Sequence, residues 1–191
     1  MESLLLNIIK ENSLNLTDKH TGHSYIPHLY DELFFPYKDK ENTILEIGIR
    51  EGDSLRMWEK YFPNSLIYGV DNCQDLVFKN GRRKNYDSLK TSRVTPIIDD
   101  AYDEEFVKTL PMFDIIIDDG PHTLESQIKT VELYLDKLNP NGVLVIEDIQ
   151  SMDNVNEINK HIPDSYENSY YVDLRKIKNS YDDLVIVVEN K

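Results

Sequence analysis

Cysteine is almost absent from this chain of 191 residues, which contains only Cys73. A single cysteine excludes an intrachain disulfide and any zinc or iron–sulfur site built from several cysteines. Long apolar runs are also absent, and no segment approaches the roughly 20 apolar residues that cross a bilayer as a helix. The first residues lack the basic start and the cleavage site of a secretory signal. We therefore expect a cytosolic protein with no membrane partner.

Glycine and proline are scarce, at 7 and 8 residues, which excludes collagen-like and low-complexity chains. Basic residues are outnumbered, since 21 Lys and Arg stand against 35 Asp and Glu, and the formal net charge is −14. General binding to duplex nucleic acid requires clustered Lys and Arg that neutralise phosphates. We therefore expect no general nucleic-acid binding.

The hydrophobic pattern from Thr43 onward predicts an α/β fold. Short β-branched apolar runs alternate there with segments of helical period, as in a parallel sheet that is covered by helices. The predicted strands are residues 43–49, 66–70, 94–98, 113–117 and 143–146. The predicted helices are residues 54–61, part of 85–92, 104–110 and 124–138.

The two ends of the chain depart from this alternation. Residues 1–40 contain an amphipathic start and a second helical segment at 27–35, which predicts a helical N-terminal cap on the main unit 41–191. Residues 170–174 and 184–188 are two further strands. Their connection is too short for a parallel crossover, so we predict an antiparallel hairpin at the sheet edge.

Two glycines, Gly48 and Gly52, follow the first predicted strand. Ligands bind at the carboxyl ends of strands in such sheets, and glycine lets a ligand approach the backbone closely. Their spacing matches neither the dinucleotide-binding motif nor the triphosphate-binding loop, so a nucleoside without phosphates remains open. The alternative interpretation is a plain tight turn.

Acidic residues follow the second and third predicted strands. Asp71 ends the second strand and is placed to accept hydrogen bonds from the two hydroxyls of a ribose. Asp100 follows the third strand, where a carboxylate can meet an adenine amino group. The alternative there is a helix N-cap, which Asp103 suits better than Asp100.

The strongest pattern follows the fourth and fifth predicted strands. Asp119 comes after the fourth strand, and Glu147 with Asp148 after the fifth. If these strands are neighbours, their tips lie about 4.8 Å apart, and three carboxylates so close favour a hard cation such as Mg²⁺. His122 would lie beside the ion as a general base. Alternatively, Asp119 and Asp148 cap the next helices and His122 is a solvated loop residue.

A run of basic residues and the other histidines give weaker indications of function. One basic run is a candidate contact for a phosphorylated or acidic substrate, although a solvated helix face explains it better. It consists of Lys79, Arg82, Arg83, Lys84, Lys90 and Arg93. The histidines interpreted as surface or packing residues are His20, His23, His28 and His161.

Taken together, the motifs resemble the macrocin and mycinamicin O-methyltransferase family and its cephalosporin-hydroxylase-like relatives. The resemblance rests on Leu-Glu-Ile-Gly at 45–48, Ile-Asp-Asp-Gly-Pro-His at 117–122 and Val-Ile-Glu-Asp at 145–148. Shorter matches lie at 54–58, 61–64 and 67–71, and the chain ends match at 18–25 and 173–184. The resemblance implies a Rossmann-like class I methyltransferase domain over residues 41–191, with seven strands, and a homo-oligomer as a plausible assembly.

The resemblance also implies the ligands and the residues that hold them. Members use S-adenosylmethionine as methyl donor and bind Mg²⁺. The residues expected at the donor are Glu46, Gly48, Gly52, Asp71, Asp100 and Asp118. The residues expected at the metal are Asp119, Glu147 and Asp148, with His122 as the base that takes a proton from a sugar hydroxyl.

This sequence departs from the family pattern at several points. Pro121 stands where the family often has serine, Ala101 where glutamine is common, and the glycine loop is shorter. The leading hypothesis is an Mg²⁺-dependent O-methyltransferase acting on a hydroxyl of a sugar or glycosylated small molecule. Two alternatives are a methyltransferase of nucleic acid or a phosphorylated metabolite, and a catalytically inactive binding module. The sequence leaves the acceptor open.

Overall fold

The computed structural model describes residues 3–73, 86–166 and 168–191. Its strands are β1 Thr43–Ile47, β2 Leu66–Asp71, β3 Val94–Ile98, β4 Phe113–Asp118, β5 Leu138–Ile146, β6 Asn168–Asp173 and β7 Leu184–Glu189. They form one sheet of seven strands in the order β3-β2-β1-β4-β5-β7-β6. Strands β1 to β5 pair in parallel, and β7 runs antiparallel to both β5 and β6. The predicted fold class is confirmed, including the hairpin at the sheet edge.

Helices cover the sheet and link its strands. They are α1 Leu4–Asn12, α2 Asp31–Leu33, α3 Asp53–Tyr61, α4 Glu104–Thr109, α5 Leu124–Tyr134, α6 Met152–Asn159 and α7 Arg175–Lys178. A π-helix spans Ile26–Tyr30, and 3₁₀ turns span Phe35–Tyr37, Tyr86–Leu89 and Leu135–Lys137. Residue 85 of the helix predicted at 85–92 lies outside the described residues, and the rest of that segment forms only the 3₁₀ turn.

Several observed elements differ from the predicted ones, among them a strand start, a helix end and a helix that was not predicted. Strand β5 begins at Leu138 and not at residue 143, because Leu138 pairs with Phe113 across an irregular register. Helix α5 ends at Tyr134, where the chain tightens into a 3₁₀ turn. Helix α6 was not predicted, because its buried apolar residues are only Val155 and Ile158, too few to mark a helical period.

The sheet is apolar on both faces, as predicted for parallel strands under two layers of helices. Successive side chains of a strand point to opposite faces. Ile44 and Ile115 therefore pack in the cluster that includes α1, α3 and the N-terminal segment. Leu45 and Ile116 pack in the other cluster, with residues of α4, α5 and α6.

The N-terminal segment shares the first of these two cores. The ring centroid of Trp58 in α3 lies 5.8 Å from that of Tyr30 and 5.6 Å from that of Phe34. Residues 3–40 thus pack directly on the sheet unit, while the division of the chain at residue 40 stays a prediction. Within the described part of the chain, no helix has the length and apolarity needed to span a membrane.

Candidate active site

A cavity of 440 Å³ opens at the carboxyl ends of β1, β2 and β4. This is the end of a parallel sheet where ligands bind, and the volume is within the range of small-molecule sites, roughly 300 to 1,000 Å³. The lining residues are 16–18, 47–54, 70–72, 100–102 and 119–122. Gly48, Gly52, Asp71, Asp100 and Asp119 are thus brought to one cavity.

Gly48 brings two loops together at the floor of this cavity. Its φ is +88°, and a Cβ there would lie 2.0 Å from the carbonyl oxygen of Asp119. The Gly48 N–H donates to the carbonyl oxygen of Val70 at 2.8 Å. The backbone that approaches Gly48 closely is therefore that of the protein itself, whereas the sequence suggested a ligand at this position.

Several residues beyond the strand ends hold a left-handed backbone. Arg50, His122 and Asp148 have φ values of +49°, +57° and +55°. Such values are uncommon outside glycine, although Asp and His tolerate them better than most residues, and they cluster at functional sites. These residues lie in the loops after β1, β4 and β5, of which the first two line the cavity.

Asp71 holds the glycine loop in place. Its Oδ2 accepts hydrogen bonds from the backbone N–H groups of Ile49 and Arg50, both at 3.1 Å, and from the Tyr86 hydroxyl at 2.9 Å. Asp100 is exposed at the cavity, and its Oδ1 accepts a bond from the Tyr102 N–H at 2.9 Å. Both carboxylates line the space where the sequence predicts a nucleoside.

Two of the residues predicted to bind the methyl donor, Asp118 and Glu46, do not line the cavity. Asp118 is 2% exposed, and its carboxylate accepts hydrogen bonds from Tyr102, Thr130 and the Gly120 N–H. Burial raises the pKa of the Asp118 carboxyl. Glu46 is fully buried and lies 3.3 Å from the Lys19 ammonium. Neither side chain belongs to the described cavity lining, so the structure does not bring them to the cavity where the sequence predicted them.

Two of the three residues predicted to bind metal, Asp119 and Asp148, meet at the tips of β4 and β5, whereas the third, Glu147, lies outside this group. His122 Nε2 lies 3.5 Å from Asp119 Oδ1 and 3.4 Å from Asp148 Oδ2. Donor atoms of these three residues all fall within 4.8 Å of one another. The capping alternative is wrong, because Thr123 caps α5 and Ser151 caps α6.

Lys19 is the residue of this cluster that the sequence interpretation missed. Its Nζ lies 2.6 Å from Asp119 Oδ2 and 2.6 Å from Glu147 Oε2, and the side chain is 1% exposed. These contacts span 100 and 128 positions of sequence. The buried ammonium thus offsets part of the negative charge of these acids.

Two tyrosines of the N-terminal segment donate hydrogen bonds to acids of this cluster. The Tyr25 hydroxyl donates to Asp148 Oδ1, and the Tyr30 hydroxyl donates to Glu147 Oε1. Burial raises the pKa of the carboxyls of Asp148 and Glu147, and the nearby Asp119 carboxylate raises both further. The N-terminal segment thus supplies hydrogen-bond donors that hold these two buried carboxylates.

His23, which the sequence marked as a surface or packing residue, packs in this region and also contacts two of its acids. Its Nδ1 contacts Asp183 Oδ1 and lies 3.4 Å from Asp148 Oδ1, and its ring stacks on Tyr25 at 5.0 Å. The motif Asp18-Lys19 with His23-Ser24-Tyr25 was the sequence signal for this contact.

The basic run does not reach the cavity where it is described. Arg93 donates to the backbone carbonyls of Glu59, Phe62 and Ser65, which is a structural contact. Lys90 is exposed. The remaining members lie outside the described residues, namely Lys79, Arg82, Arg83 and Lys84.

Comparison with known proteins bears on the part of the chain that holds the site. Residues 45–149 match the profile of a family described as a methyltransferase domain. This span contains every residue predicted to bind the donor or the metal, together with His122. The residues that the N-terminal segment contributes lie outside it.

Named relatives match over a similar stretch. The 8-demethyl-8-alpha-L-rhamnosyl tetracenomycin-C 2'-O-methyltransferase of Streptomyces olivaceus is 32% identical, over 71% of this chain and 35% of that protein. The mycinamicin VI 2''-O-methyltransferase of Micromonospora griseorubida is 34% identical, over 66% and 32%. The chain therefore spans about a third of the length of these curated relatives.

Solved structures show the same likeness. The MycE methyltransferase of the mycinamycin biosynthetic pathway, in complex with Mg, SAH and mycinamycin VI, has a TM-score of 0.62 and 29% identity, over 75% of this chain and 36% of that one. A methyltransferase from Pyrococcus furiosus has a TM-score of 0.61 at 17% identity, over 95% and 98%. The second likeness shows the fold alone. These comparisons confirm the resemblance that the motifs indicate.

Proposed function

Because this chain belongs to the methyltransferase domain family, we propose that it transfers a methyl group from S-adenosylmethionine to a hydroxyl of a sugar or glycosylated small molecule, with Mg²⁺ bound. The observation that carries the proposal is the meeting of His122, Asp119 and Asp148 at the edge of the cavity. A base and a cation site beside a nucleoside-sized space suit methylation of a hydroxyl, because both help to remove its proton. The two curated relatives named above are O-methyltransferases, and the first is named for a rhamnosyl compound.

We assign the donor to the 440 Å³ cavity. Asp71, at the end of β2, is the group proposed for the ribose hydroxyls, and Asp100 the group proposed for the adenine amino nitrogen. The turn from Gly48 to Gly52 would lie along the donor. Glu46 and Asp118 stay in the proposal as positioning residues, because Asp118 holds the cavity residue Tyr102 and Glu46 faces Lys19.

We assign the metal to Asp119, Glu147 and Asp148. The donor chemistry fits, since Mg²⁺ prefers carboxylate oxygens and these three acids lie at the tips of adjacent parallel strands. The Lys19 ammonium against two of them supports the fit, because it shows that a cation is stable there. When bound, the metal supplies a Lewis acid that favours ionisation of the acceptor hydroxyl.

His122 is proposed to accept the proton of the acceptor hydroxyl at Nε2. Its side chain is 29% exposed, so it is open to an acceptor, and the carboxylates of Asp119 and Asp148 flank the same nitrogen. Those contacts would orient the ring toward the acceptor. The residues of the loops would hold acceptor oxygen and donor methyl in line, which accounts for much of the rate of such displacements.

A methyl-transfer assay tests this proposal. The protein is incubated with S-adenosylmethionine labelled in its methyl group, Mg²⁺ and a panel of glycosylated small molecules beside the same molecules without the sugar. We expect label in a glycosylated product, and loss of that label when the metal is chelated. Label only in the sugar-free molecules, or label that survives chelation, would contradict the acceptor and metal assignments respectively.

The assembly and the location of the protein are also proposals. A homo-oligomer and a cytosolic location stay as predicted from the sequence. A nucleic-acid acceptor has no supporting contact among the described residues, because Arg93 of the basic run binds backbone carbonyls.

A further inference from the structure

Lys19 lies where two of the three proposed metal ligands, Asp119 and Glu147, converge. Its Nζ is 2.6 Å from an oxygen of Asp119 and 2.6 Å from an oxygen of Glu147. Mg²⁺ lies about 2.1 Å from its carboxylate ligands. An ion that used these same two oxygens where they converge would overlap the Lys19 nitrogen. The ammonium and such an ion therefore exclude each other.

The negative charge of the cluster favours the presence of either the Lys19 ammonium or a divalent ion. Three carboxylates, those of Glu46, Asp119 and Glu147, lie 2.6 to 3.3 Å from the Lys19 ammonium, and of these only the Asp119 side chain is as much as 21% exposed. Buried acids at such distances repel one another unless a cation is present. Lys19 offsets one charge and a divalent ion offsets two, so the ion can replace the lysine at a net gain in neutralisation.

We expect displacement of Lys19 to change the shape of the donor cavity. Lys19 belongs to a tight turn in which the N–H groups of Gly22 and His23 donate to the carbonyl oxygen of Asp18, at 3.0 and 2.9 Å. Residues 16–18, just before it, line the cavity, and Asp18 Oδ2 accepts a bond from Arg50 Nη1 at 2.6 Å. A shift of Lys19 would therefore move a wall of the cavity.

We propose that the Lys19 ammonium holds the cation site in the metal-free protein and that the divalent ion displaces it, which couples metal binding to a movement of residues 17–23 beside the donor cavity. This inference rests on the metal assignment proposed above. Lys19 is a positioning residue here, and takes no part in methyl transfer.

Calorimetric titration of the full chain with Mn²⁺, a common substitute for Mg²⁺, tests the exchange. The variants are Lys19→Met and, as a matched control, Lys10→Met at an exposed position of α1. Removal of the competing charge should tighten Mn²⁺ binding by at least about tenfold, the scale of one charge interaction in a partly buried site. Lys10→Met should bind as the wild-type chain does.

Equal or weaker binding by Lys19→Met would overturn the exchange and leave the metal site intact. Binding by neither chain would overturn the metal site, and the exchange with it. The Lys19→Met variant lacks a buried counter-ion and can fail to fold. Amide hydrogen exchange of the wild-type chain, with and without Mn²⁺, is therefore a second, independent test. Mn²⁺ should reduce protection of the Gly22 and His23 amides and leave the helical amides of α1 unchanged; bound metal with unchanged amides would contradict the coupling.

Discussion

Replacement of His122 by alanine is expected to lower kcat by about 10²- to 10⁴-fold, the usual contribution of a general base. The acceptor hydroxyl would lose the group that takes its proton, since Nε2 of His122 is the nitrogen that lies between Asp119 and Asp148. Donor affinity should be unchanged, because Asp71 and Asp100 remain in place. The measurement is the initial rate of methyl transfer to whichever glycosylated acceptor the wild-type protein methylates, with donor affinity measured separately.

The matched control is His161→Ala. His161 bonds to Glu132 at 2.9 Å, away from the cavity, so its loss should leave the rate unchanged. A His122→Ala protein that keeps its wild-type rate would remove the histidine from the mechanism. A variant that loses donor affinity as well would assign His122 to donor binding instead.

Replacement of Gly48 by alanine is expected to lower the free energy of unfolding by about 3 kcal/mol or more. A left-handed backbone costs a residue with a side chain roughly 1 to 2 kcal/mol, and Gly48 has a φ of +88°. The added Cβ would also meet the Asp119 carbonyl oxygen at 2.0 Å, which forces the β1 and β4 loops apart. Urea denaturation measures the change, and donor affinity should fall with it.

Gly22→Ala is the control for this substitution. A Cβ at Gly22 would lie 3.4 Å from the Asp18 Cβ, which is an ordinary contact. We expect its stability to change by less than about 1 kcal/mol. Equal stability of the two variants would contradict the close approach at Gly48.

The fold follows from the sequence wherever apolar residues form a clear pattern. The runs beginning at Thr43, Leu66 and Phe113 are nearly all apolar, and each forms a strand at the predicted place. Helix α6 has two buried apolar positions, and its start depends on the Ser151 cap, so its period was too weak to detect. The early start of β5 depends on pairing with Phe113, a contact that no local pattern encodes.

The site was predictable to the extent that it follows strand ends. Asp119 and Asp148 converge with His122 because parallel strands β4 and β5 place their tips together. The contacts of Lys19 and Tyr30 join residues more than 100 positions apart, which periodicity cannot reveal. The resemblance at residues 18–25 marked that segment, but it gave no partner for it.

Some of the acidic residues that give this chain its negative net charge are buried. Glu46, Asp118 and Glu147 are at most 2% exposed, so three negative charges of the formal −14 lie inside the fold. Each has a raised carboxyl pKa, and burial is the largest cause in each case. The surplus therefore includes buried carboxylates as well as surface ones.

Isothermal titration calorimetry with S-adenosylmethionine tests the assigned donor site most directly. The cavity at the ends of β1, β2 and β4 predicts saturable binding of one donor per chain, weakened when Asp71 is replaced by alanine. Absence of binding by a protein that circular dichroism shows to be folded would contradict the donor site, and the methyltransferase function with it.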